Sequence, residues 1–159
     1  MSGELKTQGS ELYMLDTSES PERVLKIANL TTIDSLGGSA SDIDVTNLDS
    51  TAREYLVGLQ DNGTASFGLN LNPQDESHQK IFEVAGGDRY LWAIGCSDGT
   101  AAPTITAGNP PTFTLPATRT WFTFQASVQE ATRSFSTDDA IRVQGGLRVS
   151  GSIVMTPKV

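Results

Sequence analysis

The most regular alternation of apolar and polar residues along the chain lies between residues 64 and 71. One side of this segment carries only apolar side chains and the other only small or polar ones: Ala65, Phe67, Leu69 and Leu71 against Thr64, Ser66, Gly68 and Asn70. A period of two is typical of a β-strand with one buried face. The segment therefore predicts a strand whose second face is smooth, polar and free of large side chains.

Similar patterns predict further strands at 11–15, 23–30, 41–46, 89–96, 119–129, 140–144 and 147–156, with a short one at 113–115. In the segment 119–129, Phe122 and Phe124 share the inward face, and Trp121 falls on the outward face. In the last segment, Leu147 and Met155 share one face. A polar arm, residues 1–10, precedes the first strand. The many strands and turn residues predict an all-β domain.

One helix is predicted, over residues 73–86. Asn72 is a suitable N-cap and Pro73 suits the first helical position. A buried stripe follows at helical spacing, formed by His78, Ile81, Phe82 and Ala85. Two glycines, Gly86 and Gly87, end the helix.

The segment 43–63 fits neither pattern well. It begins as a strand, ends in a turn at 60–63, and is predicted to form a long loop over about residues 47–63. Within that loop lie four apolar side chains, Tyr55, Leu56, Val57 and Leu59. Apolar clusters are more often part of the hydrophobic core than of an interface. Taken alone, this cluster is therefore predicted to fold back on its own sheet. The other interpretation is a contact surface for a second molecule.

Composition and charge narrow the possible functions. The 159 residues fit one domain, 1–159, and the net charge is −8. The charge is uneven: residues 34–76 hold eight acids and one base, net −7, whereas residues 119–159 hold five bases and three acids, net +2. A chain this acidic is not expected to grip DNA phosphates. The asymmetry suggests complementary surfaces on copies of one chain, although surface acids also serve solubility.

The chain lacks the residue patterns of the common catalytic sites. Its single histidine, His78, lies on the apolar helix stripe, and its single cysteine, Cys96, follows an apolar segment, so both are predicted to be structural. No nucleophile elbow, phosphate-binding loop or zinc-protease motif occurs. We therefore expect no enzyme activity, cofactor or bound metal. With no signal peptide or membrane-length apolar window, we expect synthesis in the cytosol and no membrane association.

The order of these parts resembles a known family. A strand within ASDIDVTNLDS leads into TAREYLVGLQDNGTASFGLNLN, then come one helix, a Trp/Tyr strand and the ending TWFTFQASVQEATRSFSTDDAIRVQGGLRVSGSIVMT. This resembles the major tail tube protein of bacteriophages with long, non-contractile tails, the lambda-like type. The resemblance covers nearly the whole chain and is most specific at 43–71 and 122–156. Some relatives carry a C-terminal immunoglobulin-like domain, which is not expected here.

The resemblance implies a β-sandwich or barrel of two packed antiparallel sheets flanked by one helix. It implies hexameric rings stacked into a virion tail tube, assembled in the host cytoplasm, through which double-stranded DNA passes without specific binding. Tape-measure, terminator and tail-tip proteins are the implied partners. The loop with Tyr55, Leu56, Val57 and Leu59 would stack one ring on the next. The polar strand face, with Thr64, Ser66 and Asn70, would line the channel.

Two other hypotheses stay open. The tube protein of a contractile injection system shares the architecture and works with a sheath. A secreted carbohydrate-binding β-sandwich would use Trp92 and Trp121 as platforms on which sugars stack.

Overall fold

A computed structural model describes residues 3–159, so the first two residues of the predicted arm 1–10 lie outside the described part. Residues 3–159 form eleven strands and one helix. In chain order these are β1 (Glu11–Asp16), β2 (Arg23–Lys26), β3 (Leu30–Asp34), β4 (Ser39–Asp44), β5 (Tyr55–Asp61), β6 (Thr64–Asn70), α1 (Glu76–Val84), β7 (Arg89–Gly95), β8 (Thr104–Thr106), β9 (Thr112–Thr114), β10 (Trp121–Ser134) and β11 (Arg142–Thr156).

Seven of the strands form one antiparallel sheet in the order β2-β1-β7-β10-β11-β6-β3. Its edge strands β2 and β3 are consecutive in the chain and separated by only three residues, 27–29. Four Cα steps span at most about 14 Å, whereas seven flat strands would be about 29 Å wide. The sheet must therefore curl until its edges meet, which gives the barrel form of the predicted fold.

Residues 27–29 complete this closure with hydrogen bonds to both sides. The Ile27 N–H donates to the Leu12 carbonyl on β1 (2.9 Å), and the Asn29 carbonyl accepts from Asn70 at the end of β6 (3.1 Å). The prediction of one strand over 23–30 is wrong. Asn29 adopts a left-handed φ of 54°, which a short polar side chain tolerates, and the chain turns there.

The curled sheet encloses the main core. Phe67, Trp92 and Phe124 are buried inside it, and α1 closes it with Ile81. The indole N–H of Trp92 donates to the Ala126 carbonyl at 3.0 Å, which satisfies its only polar atom. The all-β fold with one flanking helix is confirmed.

A second, smaller cluster lies on the outer face of β1, β7 and β10. Tyr13, Ala93 and Trp121 are buried there under Phe113 of the β8–β9 hairpin. Trp121 lies on the outward face, as predicted, but it is buried there, because this hairpin covers it and the Pro116 carbonyl accepts its indole N–H at 3.0 Å.

Arg119 is fully buried beside this cluster and holds neighbouring segments of the chain together through hydrogen bonds. Its guanidinium donates to the carbonyls of Cys96 (2.6 Å), Ala101, Gly95 and Gly9 (3.0–3.1 Å). These bonds fix both the loop after β7 and the end of the N-terminal arm.

The helix is shorter than predicted: it spans Glu76–Val84 rather than 73–86. Asp75, not Asn72, is the N-cap, and its carboxylate accepts from the Ser77 N–H at 2.9 Å. The Asn72 side chain instead accepts from the Gln74 N–H in the turn before the helix. Asn72 and Asp75 are both of a type that caps helices. Here Asn72 stabilises the turn before the helix, and Asp75 caps the helix itself.

The last strand is longer than predicted. Segments 140–144 and 147–156 are not separate strands, because β11 runs unbroken through Gly145 and Gly146. Gly145 lies under the ring of Phe67, where a Cβ atom would come within 2.2 Å of the ring. Gly145 thus marks close packing against Phe67 on the neighbouring strand rather than a turn.

Candidate assembly interface

The strands β4 and β5 form a two-stranded hairpin outside the seven-stranded sheet. The prediction of a loop over about 47–63 is therefore wrong for its second half, since β5 occupies Tyr55–Asp61. A register shift between Ala40 and Asp42 adds a residue to β5 and interrupts the alternation, which hides the strand in the sequence. Only residues 45–54 at the tip lie between the two strands.

The base of the hairpin and the turn before β6 are both fastened to β11. Arg148 donates to the Asp61 carboxylate (3.0 Å), the Asn62 side chain donates to the Gly151 carbonyl, and the Val149 N–H donates to the Gly63 carbonyl (3.0 Å). These contacts fix the direction in which the hairpin leaves the body.

Glycine is required where the two hairpin strands meet the body. A Cβ atom on Gly38 would lie 1.8 Å from the Asp61 carbonyl oxygen. The close approach of the chain at Gly38 and Asp61 thus permits no larger residue.

The tip of the hairpin is ordered by its own polar side chains. The Thr46 N–H donates to the Asp44 carboxylate, and the Thr46 hydroxyl accepts from the Glu54 N–H, both at 2.9 Å. The hydrogen bonds from Thr46 hold the pKa of Asp44 below its usual value. Arg53 lies 3.6 Å from the same carboxylate. The tip is therefore a defined turn.

The four apolar side chains singled out in the sequence are all exposed on β5. The exposed fractions are 51% for Tyr55, 58% for Leu56, 79% for Val57 and 90% for Leu59. The cluster does not fold back on its own sheet in this subunit. Exposed apolar patches of this kind mark interaction sites in soluble proteins. Its assignment to ring stacking stays a prediction.

The three polar residues predicted to line a channel share the outer face of β6. Thr64 is exposed, and Ser66 and Asn70 are partly buried, while their neighbours Ala65 and Leu69 point into the core. Among the described residues, the Asn70 Oδ1 atom is buried without a hydrogen-bond partner. The strand thus has the small polar face that the sequence predicts, with Asn70 partly withdrawn from its surface.

The register of β11 places arginines beside that face. Arg148 lies opposite Thr64, and Arg142 lies opposite Asn70. Each is paired with a carboxylate of the same subunit: Arg148 with Asp61 at 3.0 Å and Arg142 with Asp139 at 3.1 Å. The sequence pattern of β6 alone does not reveal these cations, because they come from a strand more than 70 residues away.

Some exposed apolar residues have no counterpart in the sequence analysis. Phe135 follows β10, and Val154 and Met155 lie near the end of β11; all three are more than half exposed. Leu147 is buried whereas Met155 is more than half exposed, and β11 pairs with β6 only over residues 142–148. Val154 and Met155 are adjacent and point to opposite faces, so the end of β11 exposes one apolar side chain on each face.

The two residues that carried candidate chemistry have structural roles. His78 is buried, its Nδ1 accepts from the Asn72 N–H (2.9 Å), and its Nε2–H donates to the Ala28 carbonyl (2.7 Å). Cys96 is half-buried and free, and burial raises the pKa of its thiol above the usual value. Neither is poised as a base or a nucleophile.

The described residues hold neither a candidate metal site nor a membrane-spanning helix. Across residues 3–159, His, Cys, Asp and Glu side chains do not converge in groups of three suited to a metal ion. The described helix, α1, is too short and too polar to cross a bilayer.

A buried ionic cluster lies at the junction of β1 and α1. Lys80 and Asp16 are both buried, with Lys80 Nζ 3.5 Å from the Asp16 carboxylate and 3.6 Å from that of Glu19. Arg23 approaches Asp16 from the other side at 3.4 Å. The cluster joins the helix to the sheet edge.

A curled all-β barrel with an outward hairpin of exposed apolar residues is the architecture of a structural assembly subunit. The profile of the family described as phage tail tube, lambda-like, matches residues 3–159. The chain belongs to that family and is a tail component of a phage virion.

A relative supports the same placement, and two solved structures share the fold. Structural protein 3 of Pseudomonas phage PAJU2 is 34% identical over 157 residues, 97% of this chain and 94% of that protein. The SPP1 tail tube protein has a TM-score of 0.66 at 9% identity, covering 98% of this chain and 81% of that one. The tube-terminating cap of the anti-feeding prophage has a TM-score of 0.68 at 8% identity, covering 99% and 93%. At these identities the structures show a shared fold.

Proposed function

We propose that this chain is the repeating subunit of the tail tube, forming hexameric rings that stack into the channel for genome ejection. The observation that carries this proposal is the β4–β5 hairpin, which is fixed at its base and exposes Tyr55, Leu56, Val57 and Leu59. In a monomer, a fixed hairpin of exposed apolar side chains would stay in contact with water and would not stabilise the fold. A tube subunit needs such a hairpin, because each ring must bind the next ring.

The hairpin supplies the energy of stacking in this account. Full burial of an apolar side chain is worth about 1.5–3 kcal/mol, so the four together account for a large part of the stacking free energy. Tyr55 is the type of residue that anchors the centres of interfaces. A tube grows head to tail, so the hairpin of one ring meets a different surface on the next.

The polar face of β6 fits the wall of the channel. Thr64, Ser66 and Asn70 offer no bulk to obstruct a passing duplex. Arg142 and Arg148 are neutralised by their own aspartates, so they present little net positive charge to phosphates. Six copies at −8 each give a ring a formal charge of −48. Double-stranded DNA would pass without specific binding, since strong binding needs clustered unpaired cations.

The remaining parts of this proposal follow from the family. The tube would assemble in the host cytoplasm, with its length set by a tape-measure protein and its ends bounded by terminator and tail-tip proteins. No membrane takes part in this assembly. The role is structural and requires neither catalysis nor a cofactor.

The tube protein of a contractile injection system is a second candidate. The observation in its favour is the similarity in fold to a sheath/tube terminator of an extracellular contractile injection system, with a TM-score of 0.67 at 10% identity. Membership of the lambda-like family favours the phage tube. A sheath gene beside this one would favour the injection system. A carbohydrate-binding role is disfavoured because Trp92 and Trp121 are fully buried and cannot serve as platforms.

End-on cryo-electron microscopy of assembled protein tests the ring. We expect six-fold symmetry around an open channel, with β6 and β11 at the inner wall. A filament without a channel, or a ring of another order, would contradict this assignment.

A further inference from the structure

The strand register divides the exposed side chains of the hairpin between two opposite faces. Asp42 lies opposite Val57, and Ile43 lies opposite Leu56. Directly opposed residues share a face, and neighbours along a strand point to opposite faces. Leu56 and Val57 therefore point in opposite directions, although they are adjacent in the sequence.

The bulge decides the side on which Leu59 lies. Gln60 is opposite Ala40, and Ala40 lies on the same side as Asp42 and therefore as Val57. Leu59, one residue before Gln60, then points to the side of Leu56. The bulge thus gathers Leu56 and Leu59 on one face.

The two faces have different chemistry. The first, here called the acidic face, combines two carboxylates with two apolar groups: Asp42, Asp44, Tyr55 and Val57. The second, here called the aliphatic face, carries only branched apolar side chains at its centre: Ile43, Val45, Leu56 and Leu59. All eight residues are exposed in the free subunit.

A surface that covers one face leaves the other in water. An isolated two-stranded hairpin is marginally stable in water, and exposed apolar strands invite aggregation. Both problems are removed together only when the hairpin is covered on both sides. A ring of identical subunits can offer two such surfaces, because each head-to-tail contact between neighbouring copies joins two different patches of the chain.

We propose that each hairpin inserts between two further copies of this chain, with the acidic face against one copy and the aliphatic face against the other. This inference rests on the proposed tube function and adds the identity of the two contacts. The charges favour copies of the chain as the occupants. The hairpin, residues 39–61, holds five acids and one base, net −4, whereas residues 119–159 are net +2. Within 119–159, Arg119 is buried and Arg142 and Arg148 pair with aspartates of their own subunit, whereas Arg133 is exposed on β10. The acidic face therefore meets the part of segment 119–159 that carries Arg133 in one copy.

Two variants at adjacent positions separate the faces. Val57→Asn places an amide on the acidic face and Leu56→Asn places one on the aliphatic face, with Thr17→Asn in an exposed turn of the body as the control. Burial of an unpaired amide opposes assembly. We expect each hairpin variant to raise the critical concentration for tubes at least about tenfold, a penalty of about 1.4 kcal/mol. We expect the control to assemble like the wild type.

The outcomes distinguish this inference from the proposed function. If the wild type forms tubes and one of the two hairpin variants assembles normally, the hairpin docks on one side and the inference is wrong, while the tube function stands. If the wild type forms no tubes, the proposed function itself fails.

Photo-crosslinking gives a second test that does not depend on the stability of those variants. A benzophenone amino acid is placed at position 56 or 57, and wild-type-like tubes are irradiated and digested. We expect position 57 to link to peptides within 119–159 and position 56 to link to a different segment. Links from both positions to one and the same peptide would overturn the two-sided arrangement.

Discussion

Arg148 donates to the Asp61 carboxylate at 3.0 Å and so joins β11 to the base of the hairpin. The two residues are 87 positions apart and belong to the two segments of opposite charge that the sequence distinguishes. Part of the charge complementarity expected between copies is thus satisfied within one subunit. Within the subunit, the Arg148–Asp61 ion pair orients the hairpin.

The first prediction concerns this ion pair. Asp61→Asn removes the charge that holds Arg148, and we expect faster hydrogen–deuterium exchange throughout β4 and β5. The melting temperature should stay nearly the same, because exposed ion pairs contribute little to global stability. Asp49→Asn, an exposed acid at the hairpin tip, is the matched control. Unchanged exchange in the Asp61 variant would mean that Asn62 and Gly63 hold the hairpin alone.

The same site predicts a pH dependence. The Gly63 N–H and then Arg148 hold the pKa of Asp61 below its usual value. A lowered carboxylate pKa stabilises the anchored form at pH values above the usual pKa, about 4. That contribution is lost as the pH falls through the lowered pKa. NMR of the hairpin amides should show the anchor intact at pH 5 and released only below the usual carboxyl range.

The second prediction separates interface from core. Tyr55→Ala with Leu56→Ser changes exposed residues on both hairpin faces, so the melting temperature should be nearly unchanged and tubes should be absent. Ile81→Ala, in the buried helix stripe, is the contrasting variant and should cost about 2–5 kcal/mol. Thermal unfolding and electron microscopy of both proteins make the comparison. A large fall in melting temperature for the hairpin variant would contradict its exposure, and normal tubes would remove it from the interface.

The third prediction concerns the buried cluster of Asp16 and Lys80. Lys80→Met leaves the Asp16 carboxylate buried without its ammonium partner, and we expect a loss of about 3 kcal/mol. Lys26→Met is the control: Lys26 pairs with Glu11 at the surface, and the loss should stay below about 1 kcal/mol. Chemical denaturation measures both. Equal losses would mean that the buried cluster contributes no more than a surface pair.

The cluster of Asp16 and Lys80 also makes the free energy of unfolding depend on pH. Burial opposes ionisation of Asp16, but hydrogen bonds from Ser18 and the charge of Lys80 leave its pKa below the usual value. Burial likewise opposes the charge of Lys80, but Asp16 and Glu83 raise its pKa. The stabilisation is therefore complete between about pH 4 and pH 10.4. It declines at lower pH as Asp16 protonates and at higher pH as Lys80 deprotonates. The Lys80→Met variant should lose the alkaline decline.

The fourth prediction concerns ionic strength. The hairpin has a net charge of −4 and residues 119–159 a net charge of +2, so attraction between copies should speed assembly. Salt screens such attraction beyond about 8 Å at 0.15 M. Light scattering at increasing NaCl should show slower assembly. A rate indifferent to salt would remove charge complementarity from the account, although the apolar contacts would remain.

Local pattern was sufficient for the strands that bury one face. The segment 64–71 contains β6, Thr64–Asn70, because its alternation reflects a core on one side and a polar surface on the other. The local pattern was insufficient for β5, because a bulge interrupts the period of two there and neither face of the strand packs on a core. The pattern placed Trp121 on the outward face correctly but did not predict its burial, since the cover over that residue comes from a hairpin rich in Thr and Pro, which carries little apolar signal.

The candidate site was predictable in its residues but not in its geometry. The apolar cluster 55–59 stands out in the sequence, whereas its division into two faces depends on the pairing of β5 with β4. The arginines beside Thr64 and Asn70 arise from pairing with a distant strand. The role of Arg119 depends on carbonyls from two separate segments, the loop after β7 and the N-terminal arm, for which one sequence offers no signal.

The central claim is that this chain builds a tube, and negative-stain electron microscopy of the concentrated protein tests it most directly. The purified protein should be monomeric or weakly associated when dilute. At high concentration, or on a nucleating tail-tip complex, it should form hollow tubes. A protein that stays monodisperse at high concentration, with no tubes under any seeding, would contradict the account.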